Sequence, residues 1–342
     1  MRRCERTSKS IEYALICLNP LTFTRKLLSQ FLTSQVSSTH VKRLRIRLKR
    51  VEKVGILYAF VGVFLFSLSL PMTKWALESF NPLFTATARP LVAAVIAIPL
   101  MVVLKIPAFP RIYLRPLLFT TLGGALGWPI LIAYALERTS SSHIAVIAAI
   151  MPLTTAIIAV LRTGVRVTIQ FWIAASAGTF LLILFALTRG GGVRADLRAD
   201  ILTLIAVLAS SFCYVEGAEL TKIMPGWQVI SWVVIAALPI CIPASIFIWI
   251  KTGGDRPITS HGVIGLGAIG ISSMYLGFFA WYRGLRDAGT AHGSQVQQFQ
   301  AILTLGWSAL ILHEIVTWSM VLIALGVIAC VLWALTTRQK SK

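Results

Sequence analysis

The segment from Gly284 to Leu312, GLRDAGTAHGSQVQQFQAILTLGWSALIL, decides how the rest of the chain is interpreted. It is apolar and long enough to cross a bilayer, since about 20 helical residues span the hydrocarbon core. Yet it carries a cluster of four glutamines, Gln295, Gln297, Gln298 and Gln300. An unpaired amide in hydrocarbon costs several kcal/mol, so these side chains must face other helices or water inside the protein. The segment therefore predicts a helical membrane protein with a polar interior.

Helical spacing divides the glutamines into two pairs. At about 100° per residue, Gln297 and Gln300 are neighbours on one face, and Gln295 and Gln298 are neighbours on another. Two interpretations stay open. The amides are either polar contacts that hold packed helices together, or part of a hydrated path or binding site.

The composition sets the class of protein. Hydrophobic residues make up 57% of the 342 residues and charged residues only 13%, too little polar surface to coat a soluble globule. The net charge of +20 comes from Lys and Arg in the first 53 residues and in short gaps between apolar runs. Membrane topology explains this placement better than nucleic acid does, so we expect lipid and no nucleic acid as partners. The five cysteines lie far apart, and neither a metal site nor a cofactor is expected.

Residues 1–53 form a basic segment before the first span. Its apolar run at Ile11–Leu18 is too short to span a bilayer, and Pro20 with no small-residue cleavage site argues against a secretory signal. Two interpretations remain: a flexible cytoplasmic tail against the anionic leaflet, or an extension upstream of the mature start. The segment ends in seven basic residues, Lys42, Arg43, Arg45, Arg47, Lys49, Arg50 and Lys53.

Apolar runs of membrane length recur from residue 54 onward, which predicts an all-α integral membrane protein of ten transmembrane helices. The predicted spans are Val54–Leu77, Pro82–Leu104, Arg115–Leu136, Thr139–Leu161, Thr168–Thr188, Asp200–Lys222, Gln228–Ile250, Gly262–Leu285, Thr290–Leu312 and Thr317–Thr337. A glycine-containing linker at 189–199 separates the halves at 54–188 and 200–337, and 338–342 form a short C-terminal tail.

Charge on the two sides predicts the orientation. Eighteen Lys and Arg, counting the seven above, fall on one side of the membrane and seven on the other. The positive-inside rule then predicts that both termini are cytoplasmic. We expect the membrane to be the inner membrane of the cell. Five spans per half then force the halves to enter the membrane upside down relative to each other. This is the arrangement of inverted-repeat transporters.

Polar and aromatic residues inside the spans are candidates for a site. Arg89 lies roughly 10 Å below the outer surface, where it either snorkels to the interface or faces a cavity as a cation for an anionic group. Glu216 lies at a depth similar to that of Gln297 and Gln298, so we expect them to share a cavity, with Arg89 as a neighbouring cation. His143 is either a helix-start residue or a second candidate, with Glu216, for proton coupling. Trp128 and Trp281 either line the cavity or belong to interfacial belts.

The chain from residue 54 to 337 resembles the EamA family of the drug/metabolite transporter superfamily. The motifs that carry the resemblance are GVFLFSLSLP (62–71), ARPLVAA (88–94), residues 143–155 with Pro152, YVEGA (214–218), GWQVISW (226–232), LGFFAWYRGL (276–285) and QVQ (295–297). The resemblance implies ten helices in two EamA repeats, with Pro152 as the helix break of the fourth span. Two positions depart from the family pattern: Ala301 replaces the matching proline of the ninth span, and Arg162 stands in a connection that usually carries an acidic residue.

We expect a secondary transporter, an exporter of small amino-acid-like or other polar metabolites, that works by alternating access with its site between the halves. The sequence shows no phosphate loop, HExxH, CxxC or Gly-x-Ser-x-Gly motif, so it is not expected to be an enzyme. The alternative is an intramembrane enzyme or lipid-binding sensor that uses the same polar cavity. Whether the protein forms a homodimer is left open.

Overall fold

The computed structural model describes residues 38–139, 141–148, 150–188, 196–252, 256–312 and 318–337. Across these ranges the chain is all-helical and contains no strand. The helices of the first half are α1 (Ser38–Ser67), α2 (Ser69–Ser79), α3 (Pro82–Val103), α4 (Leu114–Thr120), α5 (Trp128–Arg138), α6 (Ser141–Ala148), α7 (Met151–Thr163) and α8 (Ile169–Thr188). Those of the second half are α9 (Leu197–Leu220), α10 (Gly226–Thr252), α11 (Ser260–Ala268), α12 (Phe278–Ala288), α13 (Thr290–Gly293), α14 (Gln298–Leu312) and α15 (Trp318–Thr336).

Six continuous helical stretches in the described part of the chain are long and apolar enough to cross a membrane. They are Val51–Ser79, Pro82–Val103, Arg111–Arg138, Leu197–Leu220, Gly226–Thr252 and Ser260–Ala288. Shorter apolar helices occur at Met151–Thr163, Ile169–Leu181 and Leu325–Thr336. The protein is therefore a multi-pass membrane protein.

Helix α1 begins well before the predicted start of the first span. It starts at Ser38 and not at Val54, so it includes the basic residues at the end of the expected tail. Residues 38–53 contain neither proline nor glycine and are rich in Lys, Arg and Leu, which favour helix. Residues 1–37, most of the expected tail, lie outside the described residues.

Helix starts follow local capping chemistry. Asn81 accepts a hydrogen bond from the backbone N–H of Leu83 and precedes Pro82 at the first turn of α3. Thr259 caps α11 in the same way, through the N–H of Gly262. These caps hold the turns at the ends of neighbouring spans.

Two long helices change to π-helix near their middles. Residues Thr121–Gly127 join α4 to α5, and residues Ile269–Gly277 join α11 to α12. A π-turn inserts one residue into an α-helix, and the glycines in both stretches tolerate the altered backbone. Gly124 of the first stretch, and Ile269 and Ser273 of the second, border the site described below.

Small residues allow a close helix contact between α1 and α12. The positions of Gly55, Gly62 and Gly284 leave no room for a β-carbon, because backbone atoms of the facing helix lie under 3.0 Å from where it would stand. Close backbone approach of this kind is a common way of holding membrane helices together. Other neighbours are α3 with α10, α5 with α9, α7 with α9, α14 with α1, and α8 with α15.

The predicted fourth and ninth spans contain interrupted helices. In the fourth, α6 ends at Ala148 and α7 resumes at Met151, with Pro152 in its first turn, where a missing N–H costs nothing. In the ninth, α13 passes through a 3₁₀ stretch at Ser294–Gln297 before α14 begins. The glutamine cluster therefore stands where the ninth helix is irregular.

Candidate functional site

One glutamine pair holds helices together. Gln298 Nε2 donates to Gln295 Oε1 at 3.2 Å and to the carbonyl of Ala175 in α8 at 3.3 Å. Gln295 Nε2 donates to the carbonyl of Pro152 at 3.4 Å. Both side chains are fully buried. For this pair, the interpretation as polar contacts between packed helices agrees with the structure.

The other pair turns toward the centre of the protein. Gln297 Nε2 donates to Gln300 Oε1 and to the Tyr214 hydroxyl, both at 3.4 Å, and contacts Met151 Sδ at 3.0 Å. Gln297 Oε1 has no hydrogen-bond partner among the described residues. Gln300 is half-buried and lines a cavity. The two helix faces predicted from the spacing of the glutamines therefore lie in different environments.

Arg89 is buried inside the protein and does not snorkel to the surface. It is 4% exposed, and its Nη2 donates to Ser273 Oγ in the second π-helical stretch at 2.6 Å. Its Nε has no partner among the described residues. Thr85, one turn earlier on α3, is also buried and leaves its hydroxyl without a described partner. Unsatisfied buried groups are uncommon in native proteins, so this pair is a feature that needs an explanation.

Two small cavities meet around Arg89. The residues that line both are Ser69, Arg89 and Trp128. The first cavity is also lined by Thr73, Thr85, Ile132 and Ile269, and the second by Ser210, Tyr214, Ser273 and Gln300, among others. Each has a volume of about 10 Å³, room for a single water at most, so a larger molecule enters only if helices separate.

Trp281 lies behind the second cavity and does not line it. It is 0% exposed, with its ring centroid 5.3 Å from that of Tyr214 and 6.1 Å from that of Phe66. Phe66 and Phe278, whose centroids are 5.0 Å apart, form the cavity wall together with Tyr214. The expectation that Trp281 lines the cavity is therefore wrong, whereas Trp128 lines both cavities.

Glu216 is turned away from both cavities, and its cation is not Arg89. Its Oε1 accepts a hydrogen bond from Arg162 Nε at 2.6 Å, which joins α9 to the last turn of α7. The reason is helical geometry: Glu216 follows Tyr214 by two residues, so it points about 200° around α9. The expected shared cavity with Gln297 and Gln298 is therefore wrong. Arg162, placed by the sequence in a connection after the fourth span, belongs to the helix.

The remaining expectations concern His143 and Pro152. The side chain of His143 lies outside the described part of the structure, although its backbone belongs to α6. Pro152 lies directly after the interruption of the fourth span, and its carbonyl accepts the Gln295 amide. Sequence reasoning missed Thr85 and Ser273. Thr85 carried a usable signal, because it stands four residues before Arg89 and so shares its helix face.

These features define a multi-pass membrane protein whose helices enclose a small polar centre. The model of the EamA-like transporter family matches residues 53–187 and 197–336. The chain therefore belongs to the EamA-like transporter family of the drug/metabolite transporter superfamily, and it is a membrane transporter.

Two further comparisons agree with this assignment. Over 277 residues the chain is 36% identical to the uncharacterized transporter YdeK of Bacillus subtilis (strain 168), covering 81% of this chain and 95% of that protein. A solved crystal structure, titled only as that of a protein, superposes with a TM-score of 0.68 at 13% identity, covering 82% of this chain and 97% of that one. At this identity, the second comparison supports the fold alone.

Proposed function

We propose that the protein is a secondary transporter that exports small polar or amino-acid-like metabolites by alternating access between two inverted halves. The observation that carries the proposal is the composition of the second cavity. Arg89 and Trp128 come from the first half, and Ser210, Tyr214, Ser273 and Gln300 come from the second. A polar site shared by two halves is exposed alternately when the halves rock against each other.

The packing of the helices supports two equivalent halves. If each helix is replaced by its counterpart in the other half, the contact of α1 with α12 becomes that of α9 with α5. In the same way, the contact of α7 with α9 becomes that of α14 with α1. The same exchange leaves the contacts of α3 with α10 and of α8 with α15 unchanged. The two π-helical stretches also stand at matching places in their halves. These relations favour ten spans, five in each half.

The grouping of helix ends supports the inverted orientation. Contacts at one end include Gly55 with Ala288 and His292 with Thr337. Contacts at the other end include Ser79 with Thr259 and Arg256 with Leu77. Odd and even spans alternate between these ends as ten passes require. The charge count then assigns the first end, together with both termini, to the cytoplasmic side of the inner membrane.

Ion pairs at the two ends are suited to act as gates. Arg162 and Glu216 join α7 to α9 at the end assigned to the cytoplasm. Arg256 Nη2 and Glu137 Oε1, 3.1 Å apart, join the loop before α11 to α5 at the other end. Protonation of Glu216 would release its pair, so we keep this residue as the proposed coupling site. His143 stays a second candidate.

The test is a reversible crosslink between positions 137 and 256 in proteoliposomes. Overexpressing cells are first screened for resistance to toxic metabolite analogues, and the compound that gives resistance is used as a radiolabelled solute. The double variant Glu137→Cys/Arg256→Cys should lose counterflow when joined by a bifunctional methanethiosulfonate crosslinker that spans the length of the original ion pair, and recover it on reduction. Glu219→Cys/Lys222→Cys, whose positions are three residues apart in sequence at the end of α9, is the matched control and should keep activity.

The outcomes separate the classes of function. Unchanged counterflow in the crosslinked Glu137→Cys/Arg256→Cys protein, with the crosslink verified, would contradict alternating access at this end. Recovery of the solute in chemically altered form would favour an intramembrane enzyme. Absence of solute movement in every condition, together with tight lipid binding, would favour a sensor.

A further inference from the structure

We infer that Arg89 binds a carboxylate group of the transported molecule and that this molecule carries a single net negative charge. The inference rests on the proposed function, because it assumes that the cavities around Arg89 open to solute. It adds the chemical class of the ligand, which that proposal leaves broad.

The first argument is the unbalanced charge. An arginine side chain keeps its charge under all physiological conditions, and a buried charge is strongly disfavoured unless it is paired. Within the described residues, Arg138, Arg162, Arg256 and Arg283 each have a carboxylate within 4.0 Å, and all four are at least 39% exposed at the side chain. Arg89 is 4% exposed and, among the same residues, has only the neutral Ser273 hydroxyl as a partner. The most buried of these cations is thus the one without an anion.

The second argument is the arrangement of hydrogen-bond donors. Arg89 Nε and the Thr85 hydroxyl are both buried without described partners, and both residues line the first cavity. They stand four residues apart on α3, so they lie on one face, a helical turn apart. A carboxylate has two oxygens that accept charge-assisted hydrogen bonds from an arginine and a neighbouring hydroxyl. The first cavity therefore contains two hydrogen-bond donors that have no acceptor among the described residues.

The third argument is the absence of acidic groups around the site. The described residues that line the two cavities include no Asp and no Glu. A zwitterionic amino acid would place its ammonium in the same small space as the guanidinium, with no carboxylate to balance it. A dianion would leave one negative charge unpaired. A monocarboxylate, including an amino acid with a blocked or absent amino group, neutralises the site.

The experiment measures ligand-induced stabilisation of the purified full chain in lipid nanodiscs at constant ionic strength. The anionic probes are acetate, lactate and N-acetylleucine, and their neutral counterparts are acetamide, lactamide and N-acetylleucine amide, with leucine as the zwitterion. We expect at least one carboxylate to raise the Tm of the native protein while its amide and leucine do not. In Arg89→Gln the affinity should fall about 30-fold or more, equivalent to about 2 kcal/mol at 1.4 kcal/mol per tenfold.

Three variants distinguish a loss of ligand binding from a loss of folding. Arg286→Gln, an exposed arginine that lines neither cavity and belongs to neither proposed gate, should keep the response. Arg89→Lys keeps the charge and should show a weaker response of the same sign. Ligand-free Arg89→Gln should be at least as stable as the native protein, because it removes an unpaired buried charge. A structural role for Arg89 predicts the opposite, a lower Tm without ligand.

Several results would overturn the inference. These are an equal response to carboxylates in Arg89→Gln, an equal effect of the amides or of leucine, no response to any carboxylate, or a clear loss of ligand-free stability in Arg89→Gln. The failure of the two proposals can be told apart. Carboxylate binding at Arg89 without solute movement would contradict the transporter mechanism alone, whereas transport of neutral solutes unaffected by Arg89→Gln would contradict only the carboxylate site.

Discussion

The ion pair between Arg162 and Glu216 should respond unequally to removal of its two partners. The Arg162 side chain is 50% exposed, while that of Glu216 is 11% exposed. In Arg162→Met, a largely buried carboxylate loses its cation, which we expect to destabilise the protein by about 2–3 kcal/mol, just below the range for a fully buried pair. In Glu216→Gln, the half-exposed guanidinium rehydrates and the amide still accepts a hydrogen bond, so the expected cost is about 0.5–1 kcal/mol.

The double variant completes the cycle. Arg162→Met/Glu216→Gln removes both charges, so it should be more stable than Arg162→Met alone by roughly 1 kcal/mol or more. The measurement is thermal unfolding of the four proteins in nanodiscs, followed by size-exclusion fluorescence. Lys222 and Glu219 supply the control, because their pair lies within one helix end at 41% and 22% side-chain exposure. Their single variants should each cost under about 1 kcal/mol.

One result would refute the burial argument directly. If Glu216→Gln destabilises the protein as much as Arg162→Met, or if the double variant is simply the sum of the two, the exposure of the partners does not control the energy of the pair. The gate would then need another physical basis.

Three more predictions concern packing, pH and topology. Gly284→Ala should lower the Tm by several degrees, because its β-carbon would meet the backbone of α1, whereas Gly267→Ala, with open space around it, should be neutral or slightly stabilising. The backbone N–H of Arg198 lowers the pKa of Asp196, the cap of α9, so its stabilisation is complete above the ordinary carboxyl pKa of about 4 and is lost as pH falls through the lowered value. Asp196→Asn should therefore show a smaller fall of Tm between about pH 5 and pH 3, and equal falls would contradict the lowered pKa. Reporters fused after residue 342 and within 190–200 should report opposite sides of the membrane, and a shared side would contradict the inverted halves.

Composition and helical spacing predicted the features that depend on neighbours along the chain. The positions of the membrane-length helices follow from runs of apolar residues, and the pairing of Gln297 with Gln300 and of Gln295 with Gln298 follows from 100° per residue. These are properties of a single helix. They do not depend on which other helices pack against it.

Contacts between distant spans could not be obtained in this way. The partner of Glu216 is Arg162, 54 residues earlier, and choosing it over Arg89 requires the rotation of α9 relative to α7. The same holds for the hydrogen bond from Arg89 to Ser273, 184 residues apart. Hydropathy placed the first span at Val54, close to the Val51 start of the membrane-length stretch, but it gave no sign that the helix itself begins at Ser38, because hydropathy marks where a helix enters lipid.

The π-helical stretch Ile269–Gly277 determines how the membrane-length helix Ser260–Ala288 tolerates insertion and deletion. One residue of α-helix corresponds to a rotation of about 100°, and a π-turn absorbs one residue without passing on that rotation. Gly265, before the stretch, and Gly284, after it, can therefore both face the first span. Deleting a single residue within the stretch would therefore restore a regular α-helix and leave the orientation of everything after it unchanged. Trp281 and Tyr282 would stay in the aromatic cluster, whereas a deletion within Phe278–Ala280, which is regular α-helix, would rotate both rings by about 100° out of it.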